Sequence, residues 1–493
     1  MTDSSPAGSK VLRNLGVSLA CLLLALAVVR GYAAAAERPL KLPQLGDASS
    51  ALISPELERQ IGEDFLKQIN ASLPTSSDPI LKYYVERHIG RLAEYSELTE
   101  RLQSTMLIDD PQINAFAVPG GVVGINLGLM LYAEDVHEFS SVLAHELAHL
   151  SQRHFARGIE EQRAQTLPTL ASMLAALVVG AVGGADAGLA ALTGAQAVAQ
   201  ANQLRYSRTR EQEADRIGLN TLVAAGMDPA AMSRMFERMQ RAYRFTRRPP
   251  EFLLTHPLTD SRISDARNQA SRYPRRQYRD SDEYQFMRAR VIVRFADSPQ
   301  AAVKRFRQEL SRNPENEVAR YALAVALSAA GEHAEAVAIG DAQHSADPDS
   351  LLLLASYAQL LINANQPDQA RRLLAHQLVL NPDNAPLSML YAQALSDSGE
   401  TQQAQAVLTR QSRARPADVD IWYNLAEVAG LAGDIVAVHL ARAEYFALHG
   451  GYQKAIQHLE YARRLVDRRN DEQLSRVDQR IIDLRTRLRE LRS

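Results

Sequence analysis

The chain has 493 residues, of which 46% are hydrophobic and 23% are charged, an ordinary balance for a folded, soluble protein. This length exceeds one ordinary hydrophobic core, so two domains are expected. The formal net charge of -2 gives no reason to expect a nucleic-acid partner.

The N-terminal segment is typical of a secretory signal peptide. A short basic region precedes an apolar run over residues 15–29, and small residues follow at 33–36. This order predicts residues 1–36 as a signal peptide cleaved after Ala36, with export to the periplasm. The apolar run is shorter than the roughly 20 residues of a membrane span, although an uncleaved anchor remains the alternative.

The only cysteine, Cys21, lies inside this segment. Lipidation of Cys21 fits poorly, because Ser18 stands where lipoprotein signals usually carry Leu. The mature chain therefore has no cysteine, and it must be stabilised in an oxidising compartment by burial alone.

Three elements are predicted before the central part of the chain. Residues 53–104 carry apolar side chains at three- and four-residue spacing, which indicates helices. Two short apolar runs at 113–118 and 122–125 are joined by Pro119-Gly120-Gly121, which predicts a small β-hairpin. A long amphipathic helix is expected from about residue 135 to residue 157.

That helix carries the decisive motif, His145-Glu146-Leu147-Ala148-His149. Residues four apart lie on one helix face, so both imidazoles can reach one metal ion. Zinc suits two nitrogens plus a carboxylate, with a fourth position open for water, and Glu146 can take a proton from that water. His137-Glu138 is no second motif, because Ser141 stands where its second His is needed; we expect this pair on an N-terminal helix face.

An unusual apolar segment follows at residues 167–199, where Asp186 is the only charged residue. A membrane hairpin is one interpretation, but four glycines weaken the helix through its middle and neither half reaches a confident spanning length. A buried or lid-like helical hairpin is therefore favoured.

The third ligand must come from another element. A third histidine ten residues after the first is absent, because His154 is off by one position. A helix over residues 204–242 offers Glu211, which shares a helix face with Asp215. Asp215 could accept a hydrogen bond from a ligand histidine and fix its tautomer, whereas Glu213 points elsewhere and is expected to be solvated.

The C-terminal half repeats with a period of 34 residues. A proline, a glycine or asparagine, and an alanine keep this period: Pro314, Pro348, Pro382, Pro416; Gly331, Asn365, Gly399, Gly433; Ala302, Ala336, Ala370, Ala404. This unit resembles the tetratricopeptide repeat, with about five units and a charged helical end at 465–493. We predict a repeat domain over 280–493 that binds extended segments of other proteins, or else serves as a scaffold without a ligand.

The paired motifs resemble one metallopeptidase family. His145-Glu146-x-x-His149 with Glu211-x-x-Ala214-Asp215 is similar to the zinc metallopeptidases that include the CAAX prenyl endopeptidase and the bacterial membrane heat-shock protease. The resemblance implies a mainly α (α+β) fold: a helical zincin-type domain over 37–275 with a small β-hairpin or sheet, followed by an α-solenoid. It implies one zinc ion per chain, bound by His145, His149 and Glu211, with Glu146 as general base and Asp215 in support.

Two further segments match that family. Residues 114–121 resemble its strand beside the cleft, whose exposed edge could pair with an extended substrate backbone; an ordinary core hairpin is the alternative. Thr255-His256-Pro257, followed by Arg262, resembles another family segment. His256 is expected to be catalytic, either donating to the oxyanion of the tetrahedral intermediate or occupying the open zinc position at rest. A simple turn residue is the alternative.

The order of signal peptide, peptidase and repeats is similar to that of periplasmic proteases acting in outer-membrane protein assembly. It implies a zinc-dependent endopeptidase of misassembled or unfolded envelope proteins, with a chaperone-like role. Its repeats are expected to bind outer-membrane proteins or their assembly machinery. Alternatives are a client-binding scaffold with little proteolysis, and a membrane peptidase of prenylated substrates if residues 167–199 span the membrane. We expect truncation of the repeats to leave model-peptide cleavage largely intact.

Overall fold

The computed structural model describes residues 53–161, 208–243 and 251–491. The predicted signal peptide, including Cys21, and the apolar segment 167–199 lie outside these residues. The described part is mainly helical with a small sheet, which confirms the predicted fold class. None of its helices is both long and apolar enough to cross a membrane.

Two capped helices open the described chain, α1 (Pro55–Ser72) and α2 (Pro79–Ala93). The Ser54 hydroxyl accepts the backbone N–H of Leu57, and the Asp78 carboxylate accepts two N–H groups at the start of α2. A proline follows each cap, at a position where its missing N–H has no helical partner to lose. Local sequence therefore sets where both helices begin.

A three-stranded sheet follows, with β1 (Ser104–Ile108), β2 (Ala115–Val118) and β3 (Val122–Asn126) in the order β1-β3-β2. β3 pairs parallel to β1 and antiparallel to β2. The turn between β2 and β3 contains Gly120 and Gly121 at φ of 82° and 78°, a conformation that favours glycine. The predicted hairpin is therefore present, and β2 lies at an edge of the sheet.

The helices of the predicted peptidase domain, called the peptidase helices below, also include seven of short to medium length: α3 (Gly128–Tyr132), α4 (Val136–Ser151), α5 (His154–Glu161), α6 (Arg208–Ala224), α7 (Ala231–Tyr243), α8 (Glu251–Thr255) and α9 (Asp260–Ala270). The prediction of one continuous helix over residues 135–157 is wrong. α4 ends at Ser151, and Arg153 adopts the left-handed conformation with φ of 49°. Because this conformation cannot continue a right-handed helix, the chain turns and α5 starts in a new direction.

The C-terminal half consists of paired helices: α10 (Asp282–Arg294), α11 (Pro299–Arg312), α12 (Glu317–Ala330), α13 (His333–Ala346), α14 (Leu351–Asn363), α15 (Pro367–Leu380), α16 (Ala385–Asp397), α17 (Thr401–Ala414), α18 (Val419–Leu431), α19 (Ile435–Leu448), α20 (Tyr452–Leu465) and α21 (Asp471–Glu490). Successive helices pack against each other along the array. This is the predicted solenoid, and its last helix is the predicted charged end.

The structure explains each residue class of the 34-residue period. The glycine or asparagine positions all have positive φ and follow the first helix of a pair, where a left-handed residue ends the helix. The four periodic alanines are at most 2% exposed, because the paired helices cross closely there. Each periodic proline comes two residues after the second helix of its pair has ended.

One hydrophobic core runs from the peptidase helices into the first repeats. The same cluster of buried side chains contains Ile80 of α2, Phe139 of α4, Tyr284 of α10 and Leu390 of α16. The Tyr284 hydroxyl donates a 2.8 Å hydrogen bond to the carbonyl of Ala133. The repeats are therefore packed onto the peptidase helices and share a core with them.

Candidate metal centre

The two helices that carry the predicted ligands, α4 and α6, pack closely against each other. Glu211, Asp215 and Gly218 lie at positions i, i+4 and i+7 of α6, so they share one helix face. A methyl group on Gly218 would lie 3.1 Å from backbone atoms of Ala144 and His145. The absence of a side chain at Gly218 therefore lets α6 approach the backbone of α4 beside the first histidine.

The structure brings the three predicted ligands together. The Nε2 atoms of His145 and His149 are 3.0 Å apart. Oε2 of Glu211 lies 3.5 Å from Nε2 of His145, and its Oε1 lies 3.4 Å from Nε2 of His149. All three side chains are at most 3% exposed, so these donor atoms face one another inside the protein.

Asp215 and Arg262 hold the first histidine. Nδ1 of His145 lies 3.0 Å from Oδ1 of Asp215. The Arg262 guanidinium donates two 2.7 Å hydrogen bonds to the Asp215 carboxylate, and its Nη1 lies 2.8 Å from Oε2 of Glu211. Burial raises the pKa of Asp215, but Arg262 outweighs this effect and holds the pKa below its usual value. Asp215 is therefore an ionised acceptor beside His145.

His154 and Glu213 have contacts that the sequence did not predict. His154 is fully buried, and its Nδ1 lies 2.8 Å from Nδ1 of His149. Its Nε2 lies 3.1 Å from Oε2 of Glu213, which also accepts a 3.0 Å hydrogen bond from Arg157. The prediction that Glu213 is simply solvated is therefore wrong, because this half-buried carboxylate is paired twice.

His256 also reaches the cluster, from the end of α8. Its Nδ1 lies 3.3 Å from Nε2 of His145 and 3.1 Å from Oε1 of Glu211, and its Nε2 lies 3.6 Å from Oε1 of Glu146. Its backbone N–H donates a 2.7 Å hydrogen bond to the carbonyl of Phe252, which fixes it at the helix end. His256 is 2% exposed, so it is far from an ordinary surface turn residue.

Glu146 stands beside this cluster in a different environment from Glu211. Burial raises the pKa of Glu146, and the nearby imidazoles offset this only in part. Burial also acts to raise the pKa of Glu211, but the surrounding imidazoles, His256 first, outweigh it and hold the pKa well below its usual range. The cluster thus contains one firmly ionised carboxylate and one that takes up a proton more readily.

His137 and Glu138, excluded above as a second motif, lie in the first turn of α4 as expected, and both are buried. His137 contacts the Met227 sulfur at 3.2 Å, and Glu138 accepts hydrogen bonds from Arg238 at 3.0 and 3.1 Å. Glu138 thus contacts Arg238 of α7, whereas His137 contacts Met227 before α7, and neither residue belongs to the cluster around His145.

A cavity of about 220 Å³ opens beside His149. The residues that line it include Ala117 of the edge strand β2, the Pro119–Gly121 turn, Ser151 and Phe155. The Ala117 backbone also lies close enough to Glu146 to lower its pKa slightly. An extended chain lying along β2 would therefore pass directly by the cluster.

The residues present fit a metal ion. Donor atoms of His145, His149, Glu211 and His256 all lie within 4.8 Å of one another, which is the nitrogen and oxygen donor set that zinc prefers. Among the described residues, neither buried oxygen of Glu146 accepts a hydrogen bond of normal geometry. A buried carboxylate without such a partner is costly, and it fits a position next to a water molecule and a metal.

Comparisons with known proteins show which family the chain resembles. The profile of peptidase family M48 matches residues 79–270, and a tetratricopeptide-repeat profile matches residues 327–394. A beta-barrel assembly-enhancing protease of Yersinia pestis is 32% identical over 446 residues, which cover 90% of this chain and 91% of that protein.

Other relatives align over a shorter span. The beta-barrel assembly-enhancing protease of Escherichia coli K12 is 34% identical over 274 residues, only 56% of each chain. The mitochondrial metalloendopeptidase OMA1 of Schizosaccharomyces pombe is 30% identical over 219 residues, 43% of this chain and 60% of that one. A solved tetratricopeptide repeat protein from Parabacteroides merdae covers 54% of this chain and 97% of its own, but at 12% identity and a TM-score of 0.28 it supports no conclusion.

Proposed function

The chain belongs to peptidase family M48, as a metalloendopeptidase with tetratricopeptide repeats behind its peptidase domain, and from this premise we propose that it uses zinc to hydrolyse unfolded proteins in the periplasm. One observation supports this most strongly. The Nε2 atoms of His145 and His149 lie 3.0 Å apart and both face the carboxylate of Glu211. Two imidazoles and one carboxylate form the protein ligand set of catalytic zinc sites in peptidases.

We assign His145, His149 and Glu211 as the ligands of one zinc ion per chain. A zinc ion held by these residues would polarise the scissile carbonyl and would lower the pKa of a bound water from about 15.7 to about 7. The carboxylate of Asp215 lies 3.0 Å from Nδ1 of His145, where it would favour the tautomer that leaves the Nε2 lone pair free for the metal.

Glu146 is the proposed general base. It follows the first ligand directly on α4, and its carboxylate is buried next to the cluster. Glu146 takes a proton from the attacking water and then passes it to the leaving amine.

His256 has two candidate roles, and the geometry favours one of them. Its Nδ1 is within 3.3 Å of Nε2 of His145 and within 3.1 Å of Oε1 of Glu211. A residue that only stabilises an oxyanion would not need to enter the ligand cluster itself. We therefore propose that His256 occupies the open metal position at rest and must move before a substrate binds.

The proposed substrates are extended polypeptides, because the edge strand β2 lies beside Glu146 and His149. Backbone pairing along an edge strand gives affinity with little demand on side chains. A protein that is folded compactly cannot present such a segment, so unfolded or misassembled clients are favoured.

The repeats are proposed to bind these clients or their assembly partners. A groove of about 1140 Å³ lies between α1, α2 and β1 on one side and repeat residues 414–419 on the other. The names of the Yersinia pestis and Escherichia coli relatives refer to β-barrel assembly. Together with the predicted signal peptide, these observations support a periplasmic role in outer-membrane protein quality control, including a chaperone-like one.

The substitution Glu146→Gln tests the enzyme proposal. It keeps the ligands but removes the base, so the variant should bind zinc like the wild type and lose cleavage of an unfolded protein such as casein. Glu134→Gln is the matched control, because it makes the same change at a carboxylate that is 62% exposed. Full proteolysis by Glu146→Gln would refute the role given to this residue.

The same variant distinguishes the enzyme proposal from its alternative, a scaffold with little proteolysis. If Glu146→Gln loses cleavage but still supports envelope assembly in cells, the repeats and the peptidase have separate activities. If the wild-type protein cleaves no unfolded substrate at all while it still supports assembly, the scaffold alternative replaces the enzyme proposal.

A further inference from the structure

The second histidine of the cluster has an imidazole beside its Nδ1 atom, whereas the first has a carboxylate there. Nδ1 of His145 faces the carboxylate of Asp215, whereas Nδ1 of His149 lies 2.8 Å from Nδ1 of His154. The two rings meet edge to face, with centroids 4.8 Å apart and an angle of 75°. This geometry directs a nitrogen of one ring at a nitrogen of the other.

Only one arrangement of protons lets His149 bind a metal through Nε2. Its proton must then lie on Nδ1, and Nδ1 of His154 must accept it through a lone pair. The remaining proton of a neutral His154 lies on Nε2, which is 3.1 Å from the carboxylate of Glu213. The carboxylate thus fixes the tautomer of His154, and His154 fixes that of His149.

This arrangement lies at the turn between α4 and α5. The left-handed Arg153, with φ of 49°, turns the chain so that His154 starts α5 and lies back against α4. Glu213 sits two residues after Glu211 on α6, and Arg157 of α5 donates a 3.0 Å hydrogen bond to it. α6 therefore contributes one carboxylate to the cluster and another to the residue behind it.

We propose that His154, supported by Glu213, is a positioning residue that orients His149 and fixes its tautomer for metal binding. The inference rests on the proposed zinc site. Removing a residue that orients a metal-binding histidine commonly lowers the metal affinity 10- to 100-fold. His154 would act only through His149, without touching the metal or the substrate.

The test is the affinity of the full-length mature protein for Zn²⁺, measured by competition with a chelator. His154→Leu removes the acceptor, and we expect the affinity to fall about 10- to 100-fold. His154→Asn keeps an acceptor oxygen near the position of Nδ1, and we expect most of the affinity to return. Glu213→Ala should give an intermediate loss, since His154 remains but can change tautomer.

His137→Leu is the matched control, because it makes the same change at another buried histidine, which lies on α4 and contacts Met227 instead. Its Zn²⁺ affinity should match the wild type. Unchanged affinity in His154→Leu, or equal losses in His154→Leu and His154→Asn, would overturn the inference. If His154→Leu does not fold, Glu213→Ala decides, with the exposed Glu134→Ala as its control. A wild-type protein that binds no Zn²⁺ would instead refute the proposed function itself.

Discussion

Among single residues, His256 gives the sharpest test of whether the open metal position is occupied when no substrate is bound. His256→Ala removes an imidazole that lies 3.1 Å from Glu211. If His256 occupies the open metal position, only the wild-type molecules in which it has moved away can cleave an unfolded substrate. His256→Ala should then raise the cleavage rate by the reciprocal of that fraction of molecules. Peptidase rates at matched zinc content measure this change.

The opposite result would favour the other role of His256. Loss of an oxyanion donor lowers the rate constant about 10²- to 10³-fold, so a decrease of that size in His256→Ala would contradict the resting role. A titration with added Zn²⁺ distinguishes either outcome from simple loss of metal.

For the residues that lie on regular helices, sequence spacing predicted which side chains share a helix face. His145 and His149 share a face of α4, as Glu211 and Asp215 share a face of α6, because helical periodicity fixes these relations. His154 could not be predicted in the same way. It reaches His149 only because Arg153 takes a left-handed conformation, and a non-glycine residue at positive φ has no dependable sequence signal.

Among the helices, the approach of α6 to α4 depends on Gly218. Gly218→Ala would put a methyl group 3.1 Å from the backbone of α4. We expect the clash to destabilise the protein by about 1–3 kcal/mol and to weaken zinc binding, because α6 carries Glu211. Urea unfolding and a chelator competition measure the two effects.

Gly90→Ala in α2 is the matched control for this change. A Cβ atom at Gly90 meets no atom within 4 Å, so the gain in helix propensity should stabilise the protein by about 1 kcal/mol. Equal stability in Gly218→Ala and Gly90→Ala would show that the two helices do not depend on close contact at this point.

The repeat helices were the most predictable elements, for a physical reason. Four of the pairs have a left-handed glycine or asparagine after the first helix, and four second helices have a small residue where the helices cross, so the same residue types return every 34 positions. Asn365 has φ of 58° where the other units have glycine, and asparagine is the residue that tolerates this conformation best after glycine. The joint between α4 and α5 occurs once, so no periodicity could reveal it.

At the scale of the whole molecule, the shared core changes the expectation for truncated proteins. Tyr284 is fully buried, and its hydroxyl is bonded to the carbonyl of Ala133. A protein that ends before α10 would expose this side of the peptidase core to water. We therefore now expect such a truncation to lose stability and peptide cleavage together, contrary to the expectation from sequence.

A protein that loses fewer repeats provides the comparison. A protein that ends after Ala414 keeps α10 to α17, and with them the buried side chains of the shared core, so it should retain its fold and cleavage of model peptides. Circular dichroism melts and peptide cleavage measure both. Full activity in the shorter protein would mean that the peptidase core does not need the repeats.

Farther along the array, an ion pair ties the repeats to α2. Nζ of Lys82 lies 2.9 Å from Oδ1 of Asp418. Burial raises the pKa of Asp418, but Lys82 outweighs this and holds the pKa below its ordinary value of 3.8. The stability that Asp418 contributes is therefore present above pH 3.8 and is lost as the pH falls through the lower folded pKa.

Asp418→Asn tests this link, because asparagine keeps the helix cap that Asp418 provides for α18 while it removes the charge. We expect a loss of about 1–3 kcal/mol in the free energy of unfolding near neutral pH. The difference from the wild type should shrink in strongly acidic solution. A constant difference at every pH would contradict the electrostatic explanation.

The metal content of the purified mature protein tests the proposed centre most directly. The wild-type protein should contain about one zinc ion per chain, and Glu211→Ala should lose most of it, because two histidines alone form an incomplete site. Glu134→Ala should keep the wild-type content. If Glu211→Ala holds as much zinc as the wild type, α6 does not provide the third ligand, and the proposed catalytic centre is wrong.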